Sequence, residues 1–94
     1  MLYENINNGE SMTDIKYWQW LDHINDQIEE RGINSKMIEE ALVNPDQIVP
    51  GKNNRNIYQK RMEDKLLRVV TEDNRLITAY LTSKINKYIK GDQV

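Results

Sequence analysis

The feature that most constrains the fold is a change of hydrophobic period at Pro45. Before it, apolar residues recur every three or four positions, which marks one face of a helix; after it they alternate, which marks a strand. A chain that makes this switch once cannot interleave strands and helices as a βαβ protein does. It must set helices against a separate sheet, so the expected class is α+β.

Thr13-Asp14 offers a helix N-cap with a first-turn acid. Tyr17, Trp20, Leu21, Ile24 and Ile28 then form an apolar stripe through about residue 31, and Gly32 ends the helix. Asn34-Ser35 caps a second helix in which Met37, Ile38, Ala41 and Leu42 face inward, and Asn44-Pro45 stops it. Trp18 and Trp20, two positions apart at the helix start, are expected on different faces. One is then half-exposed, as packing at the domain edge or as a dimer or partner contact.

Beyond Pro45, Gln47-Ile48-Val49 reads as a short strand closed by Pro50-Gly51 and Lys52-Asn53-Asn54. Arg55 to Met62, Lys65 to Thr71 and Arg75 to Thr82 read as three more. The breaks at Glu63-Asp64 and Glu72-Asp73-Asn74 are short and turn-forming, which implies hairpins and an antiparallel meander. Lys84 to Tyr88 reads as a terminal helical turn. The expected architecture is two N-terminal helices packed on one face of a four-stranded antiparallel sheet. It forms a single domain over 13–94, after a flexible polar tail over 1–12.

Composition narrows the function classes. The chain has no cysteine, which removes disulfides and thiolate metal sites and fits a reducing compartment. No apolar run approaches the ~20 residues that cross a bilayer, and the first residues lack the pattern of a secretory signal. A soluble cytoplasmic protein with no membrane partner is expected. The net charge of −2 conceals a division: residues 1–50 carry ten acidic and three basic side chains, residues 51–94 five acidic and ten basic ones. The sheet half is therefore the positive half, suited to meeting an anion, although the overall acidity weighs against tight nucleic-acid binding.

The last strand alternates Ile77, Ala79 and Leu81 on one side with Thr78, Tyr80 and Thr82 on the other, ending at Ser83-Lys84. That second side is either simply rich in good strand formers or a row of hydroxyls suited to phosphate oxygens. In the strand before it, Arg68 sits inside Leu66-Leu67-Arg68-Val69-Val70. Burying its guanidinium without a partner costs several kcal/mol. It must reach a rim, pair with an acid such as Glu39 or Glu40, or belong to an anion site. Tyr58, Lys60 and Arg61 in the neighbouring strand extend the candidate set. His23, the only histidine, shares a helix face with Gln27 and Arg31, as a surface residue or as a proton-transfer group. A metal site from His23 with Asp22 and Asp26 is weakly supported, and no cofactor is expected.

Read in order, His23-x3-Gln27-x3-Arg31-Gly32-Ile33, Ile38-Glu39-Glu40-Ala41-Leu42-x-Asn44-Pro45-Asp46, Tyr58-x-Lys60, Leu67-Arg68-Val69-Val70 and Ile77-Thr78-Ala79-Tyr80 are similar to a small bacterial family of unknown function. That family is typified by a His-x3-Arg-x3-Arg-Gly-Ile helix and an Asn-Pro turn, and is placed near the RelE/ParE/BrnT toxins of the barnase–colicin ribonuclease-like fold. Gln27 stands where the family pattern favours a basic residue. The resemblance covers roughly residues 20–88 and implies a RelE-like fold with a metal-independent, toxin-type endoribonuclease activity that cleaves RNA by transesterification. It further implies an antitoxin or immunity protein as partner, and a site at His23, Arg31, Lys60, Arg68, Thr78 and Tyr80. Catalytic roles then fall to His23, Lys60, Arg68 and Tyr80, and substrate contacts to Arg31, Tyr58, Arg61, Thr78, Thr82 and Lys84. A homodimer is compatible with the chain. The other function class is a non-catalytic protein-binding module or inhibitor, phage- or plasmid-encoded, on the same scaffold.

Overall fold

The switch at Pro45 does divide helices from sheet, but a strand precedes the helices. A computed structural model describes residues 18–89, in the order β1 (Gln19–Trp20), α1 (Asp22–Glu30), α2 (Ser35–Val43), β2 (Gln47–Pro50), β3 (Asn56–Met62), β4 (Lys65–Glu72), β5 (Arg75–Thr82) and α3 (Ile85–Tyr88). The expected tail over 1–12 and the Thr13-Asp14 cap lie outside the described residues. The sheet has five strands in the order β1-β5-β4-β3-β2 and is mixed, because β1 runs parallel to β5. This corrects the expected four-stranded antiparallel sheet behind two leading helices. Two residues are too few to display alternation, and a parallel partner far along the chain leaves no turn signal between them.

The same correction resolves the tryptophans. Side chains two apart diverge on a helix but share a face on an extended segment. Trp18 is buried in the core and Trp20 packs against it. Trp18 meets Tyr58 edge-on, with ring centroids 5.5 Å apart and an interplanar angle of 83°.

The helix ends follow the sequence. After α1, Gly32 takes φ +74°, Ile33 N–H donates to the Ile28 carbonyl at 2.7 Å and Gly32 N–H to that of Glu29 at 3.2 Å. This is a Schellman motif, and the buried Ile28 and Ile33 form its apolar contact. Asn34 caps α2 by accepting from Met37 N–H at 2.9 Å. Between β2 and β3, Asn53 and Asn54 both take positive φ, the pattern of a type I′ turn that asparagine tolerates.

The core lies between the helices and one sheet face. α1 packs on β5, and α2 packs on β3 and β4. Ile24, Ile28, Ile38, Ala41 and Leu42 meet Leu67, Val69, Leu76 and Ala79. The register slips between Val70 and Thr71: Val70 faces Thr78, but Thr71 faces Leu76, leaving Ile77 unopposed. A one-residue bulge moves the inward position, so Leu76 rather than Ile77 enters the core. Against the opposite face lies the C-terminal turn, α3 followed by the buried Ile89. None of the described helices is long and apolar enough to cross a membrane.

Candidate anion site beneath the C-terminal turn

In the β3–β4 hairpin, Gln59 stands opposite Arg68, and on the other side of Arg68 stands Tyr80 of β5. Residues directly opposite share a sheet face, so these three side chains form one row. The row lies on the face turned away from α1 and α2, because Leu67 and Val69 on either side of Arg68 are in the helix-facing core.

Arg68 is 8% exposed. Its Nε donates to Gln59 Oε1 at 2.7 Å, its Nη1 donates to the Tyr80 hydroxyl, and its guanidinium lies 3.9 Å from the centroid of the Tyr88 ring. The Tyr80 ring contributes a second, longer contact at 5.6 Å. Two neutral acceptors and two aromatic faces thus replace the water that burial removes. No carboxylate pairs with Arg68 among the described residues; Glu39 and Glu40, the acids offered as one of its three alternatives, are exposed on α2. No described residue neutralises the positive charge that these contacts hold in place. Nη2 makes no hydrogen bond to the described residues.

Gln59 is fully buried and joins three parts of the fold. Its Nε2 donates to Gln47 Oε1 at 3.2 Å and to the Tyr88 carbonyl at 3.1 Å. Neither Gln59 nor Tyr88 is in the site expected from the sequence. Hairpin counting could have found Gln59, since the turn at Glu63-Asp64 pairs Met62 with Lys65 and hence Gln59 with Arg68. Tyr88 carries no such signal, because its place depends on how the chain folds back after Lys84.

The remaining expected residues separate. Lys60 pairs across to Leu67 and Tyr58 to Val69, so both lie on the helix-facing side, opposite Arg68. Tyr58 is committed to Trp18, and Lys60 is half-buried there. His23 is exposed on α1. Arg31, at the C-terminus of α1, donates from Nη1 to the Ala79 carbonyl at 2.8 Å and to Thr78 Oγ1 at 3.1 Å; that hydroxyl donates to Gln27 Oε1 at 2.8 Å. Among the described residues β1 pairs only with Arg75 and Leu76 of β5, and Arg31 occupies part of the remaining β5 edge. Arg31 and Thr78 are thus engaged at the sheet edge. By alternation Arg61 and Thr82 belong to the Arg68 face. Arg61 is exposed and its backbone N–H donates to Asp46 Oδ2 at 2.8 Å, while Thr82 Oγ1 accepts from Lys84 N–H at 3.1 Å and starts the turn into α3. Lys84 is exposed.

Of the four expected catalytic residues, Arg68 and Tyr80 meet. Tyr80 accepts from Arg68 through its oxygen, which leaves its own hydroxyl proton to donate elsewhere. A guanidinium edge beside a phenolic O–H is suited to a phosphate oxyanion, one oxygen on each donor. Among the described residues no cluster of histidine and acidic side chains could hold a metal ion.

No curated protein and no solved structure matches the chain. A family model does, over residues 20–81, a span that runs from the last residue of β1 through most of β5 and holds both long helices. The chain belongs to that family, the domain of unknown function DUF4258.

Proposed function

We propose that the chain is a metal-independent endoribonuclease of toxin type, working at the Arg68–Tyr80 pair. The observation that carries this reading is a guanidinium that is buried, oriented and, among the described residues, without a carboxylate partner. Burying an unpaired charge works against folding, so its retention fits a functional role. The resemblance to a family placed near the RelE/ParE/BrnT-type toxins fits the same reading, as does the positive balance of the sheet half.

In transesterification the 2′-oxygen of one nucleotide attacks the adjacent phosphorus. The 5′-oxygen leaves, giving a 2′,3′-cyclic phosphate and a 5′-hydroxyl. Arg68 stabilises the charge that builds on the non-bridging oxygens, and Tyr80 donates its hydroxyl proton to the leaving 5′-oxygen. His23 and Lys60 stand away from this face, so the 2′-hydroxyl proton passes to water or to the substrate. A missing general base costs about 10²- to 10⁴-fold in rate, and the activity is correspondingly slow. Arg61, Thr82 and Lys84 lie where they steer the RNA backbone.

Purified protein incubated with single-stranded RNA in a chelator should yield cyclic-phosphate ends, and Arg68→Ala and Tyr80→Phe should each abolish them. Equal cleavage by wild type and both variants would reject the reading. The second reading is a non-catalytic module that binds a protein or inhibits one. It is favoured by the Tyr88 ring, which covers one face of the guanidinium. Phosphate binding at Arg68 without cleavage would select it. Under the first reading the partner is an antitoxin or immunity protein.

A further inference from the structure

The fully buried Gln59 has a role that follows from its charge type. A buried arginine is ordinarily balanced by a carboxylate, which forms a charge-assisted pair and cancels the field. At the position directly opposite Arg68 the chain places the uncharged amide of the same shape. Its oxygen accepts from Nε at 2.7 Å and its nitrogen donates to Gln47 Oε1 and the Tyr88 carbonyl. Those bonds fix which end of the amide faces the arginine, since the reverse orientation would set N–H groups against Nε–H. The guanidinium is thereby held by its Nε side, and no described carboxylate competes for its other edge, next to Tyr80.

We infer that Gln59 is a charge-preserving positioning residue: it orients Arg68 for a phosphate oxyanion without competing for it, and a carboxylate in its place would silence the site. The inference rests on the anion-binding reading of Arg68 but not on RNA cleavage. It concerns binding affinity, whereas the proposed reaction concerns turnover.

The chemistry predicts a separation of stability from binding. In Gln59→Glu the carboxylate still accepts from Nε, now as an ion pair. It forfeits the two Nε2 bonds, of which the one to Gln47 can be regained by turning the Gln47 amide. Gln47→Glu is the milder variant, since a carboxylate keeps the acceptor role toward Gln59 Nε2 and introduces a negative charge separated from the arginine by the Gln59 amide. A residue that served packing alone would leave phosphate affinity unchanged wherever the fold is kept.

The test is titration of the full chain with inorganic phosphate at constant ionic strength, following the Arg68 Nε–H resonance by NMR, with thermal melting in parallel. In the wild type this resonance should shift saturably. In Gln59→Glu the fold should persist and the affinity should fall by about ten-fold or more; in Gln47→Glu it should fall by about three-fold. A wild-type resonance that phosphate leaves in place overturns the inference. So does a folded Gln59→Glu protein that binds phosphate as the wild type does. Should Gln59→Glu fail to fold, Gln47→Glu decides: unchanged affinity there overturns the inference as well. Phosphate binding that responds as described, in a protein that cleaves no RNA, rejects the nuclease and keeps the role of Gln59.

Discussion

Arg68 Nε donates to Gln59 Oε1 at 2.7 Å across the β3–β4 hairpin, so the only buried arginine of the sheet is held by a neutral side chain. The pair is a stability element as well as a site. Replacing Gln59 by leucine removes the acceptor and leaves a charged donor unmatched in a dry setting. The expected loss is about 2–4 kcal/mol, measured by urea unfolding, and a loss below ~1 kcal/mol would mean that water takes the amide's place.

Tyr88 contributes through its ring and its carbonyl. Tyr88→Ala removes the 3.9 Å contact with the guanidinium and keeps the backbone acceptor for Gln59. The expected cost is about 1–2 kcal/mol, with faster hydrogen exchange at Arg68 Nε–H because that face opens to water. Unchanged exchange would show that the ring does not shield the arginine.

Arg31 guards an edge. Its bond to the Ala79 carbonyl occupies part of β5 that β1 leaves uncovered. Arg31→Ala should cost roughly 1 kcal/mol and, by exposing unpaired backbone, raise self-association seen in sedimentation velocity. A variant that stays as monodisperse as the wild type contradicts the edge role.

Gly32→Ala isolates a backbone effect. At φ +74° a side chain is strained, although a Cβ there would meet nothing within 4 Å. Destabilisation of about 1 kcal/mol is expected from the left-handed conformation alone; no change in the unfolding midpoint would mean that the α1–α2 turn relaxes.

Where local signals were strong, the sequence was readable. Gly32, Asn34 and the β3–β4–β5 hairpins sit where capping, turn and alternation rules place them. The α+β class follows from them. Two non-local facts escaped. β1 pairs with a strand more than fifty residues away and is too short to show a period, so local spacing alone gives Trp18 and Trp20 helical geometry. The bulge opposite Val70 shifts Leu76 into a place that strict alternation gives to Ile77. The site was half legible for the same reason. Alternation already separates Tyr58 and Lys60 from Gln59, and it places Tyr80 apart from the apolar face. Only the pairing register adds that Gln59, Arg68 and Tyr80 form one row. Residue type alone favoured Lys60 and His23, which the fold puts elsewhere.

Everything proposed for the site requires that phosphate reach the Arg68 charge. Anisotropy of a labelled single-stranded RNA, titrated at several salt concentrations, tests it directly. Each phosphate contact contributes about 0.7 to the slope of log affinity against log salt for a single strand. Arg68→Ala should bind more weakly, with a slope shallower by about that amount. Wild-type and variant lines that coincide, or a wild type that binds no RNA at low salt, would contradict it.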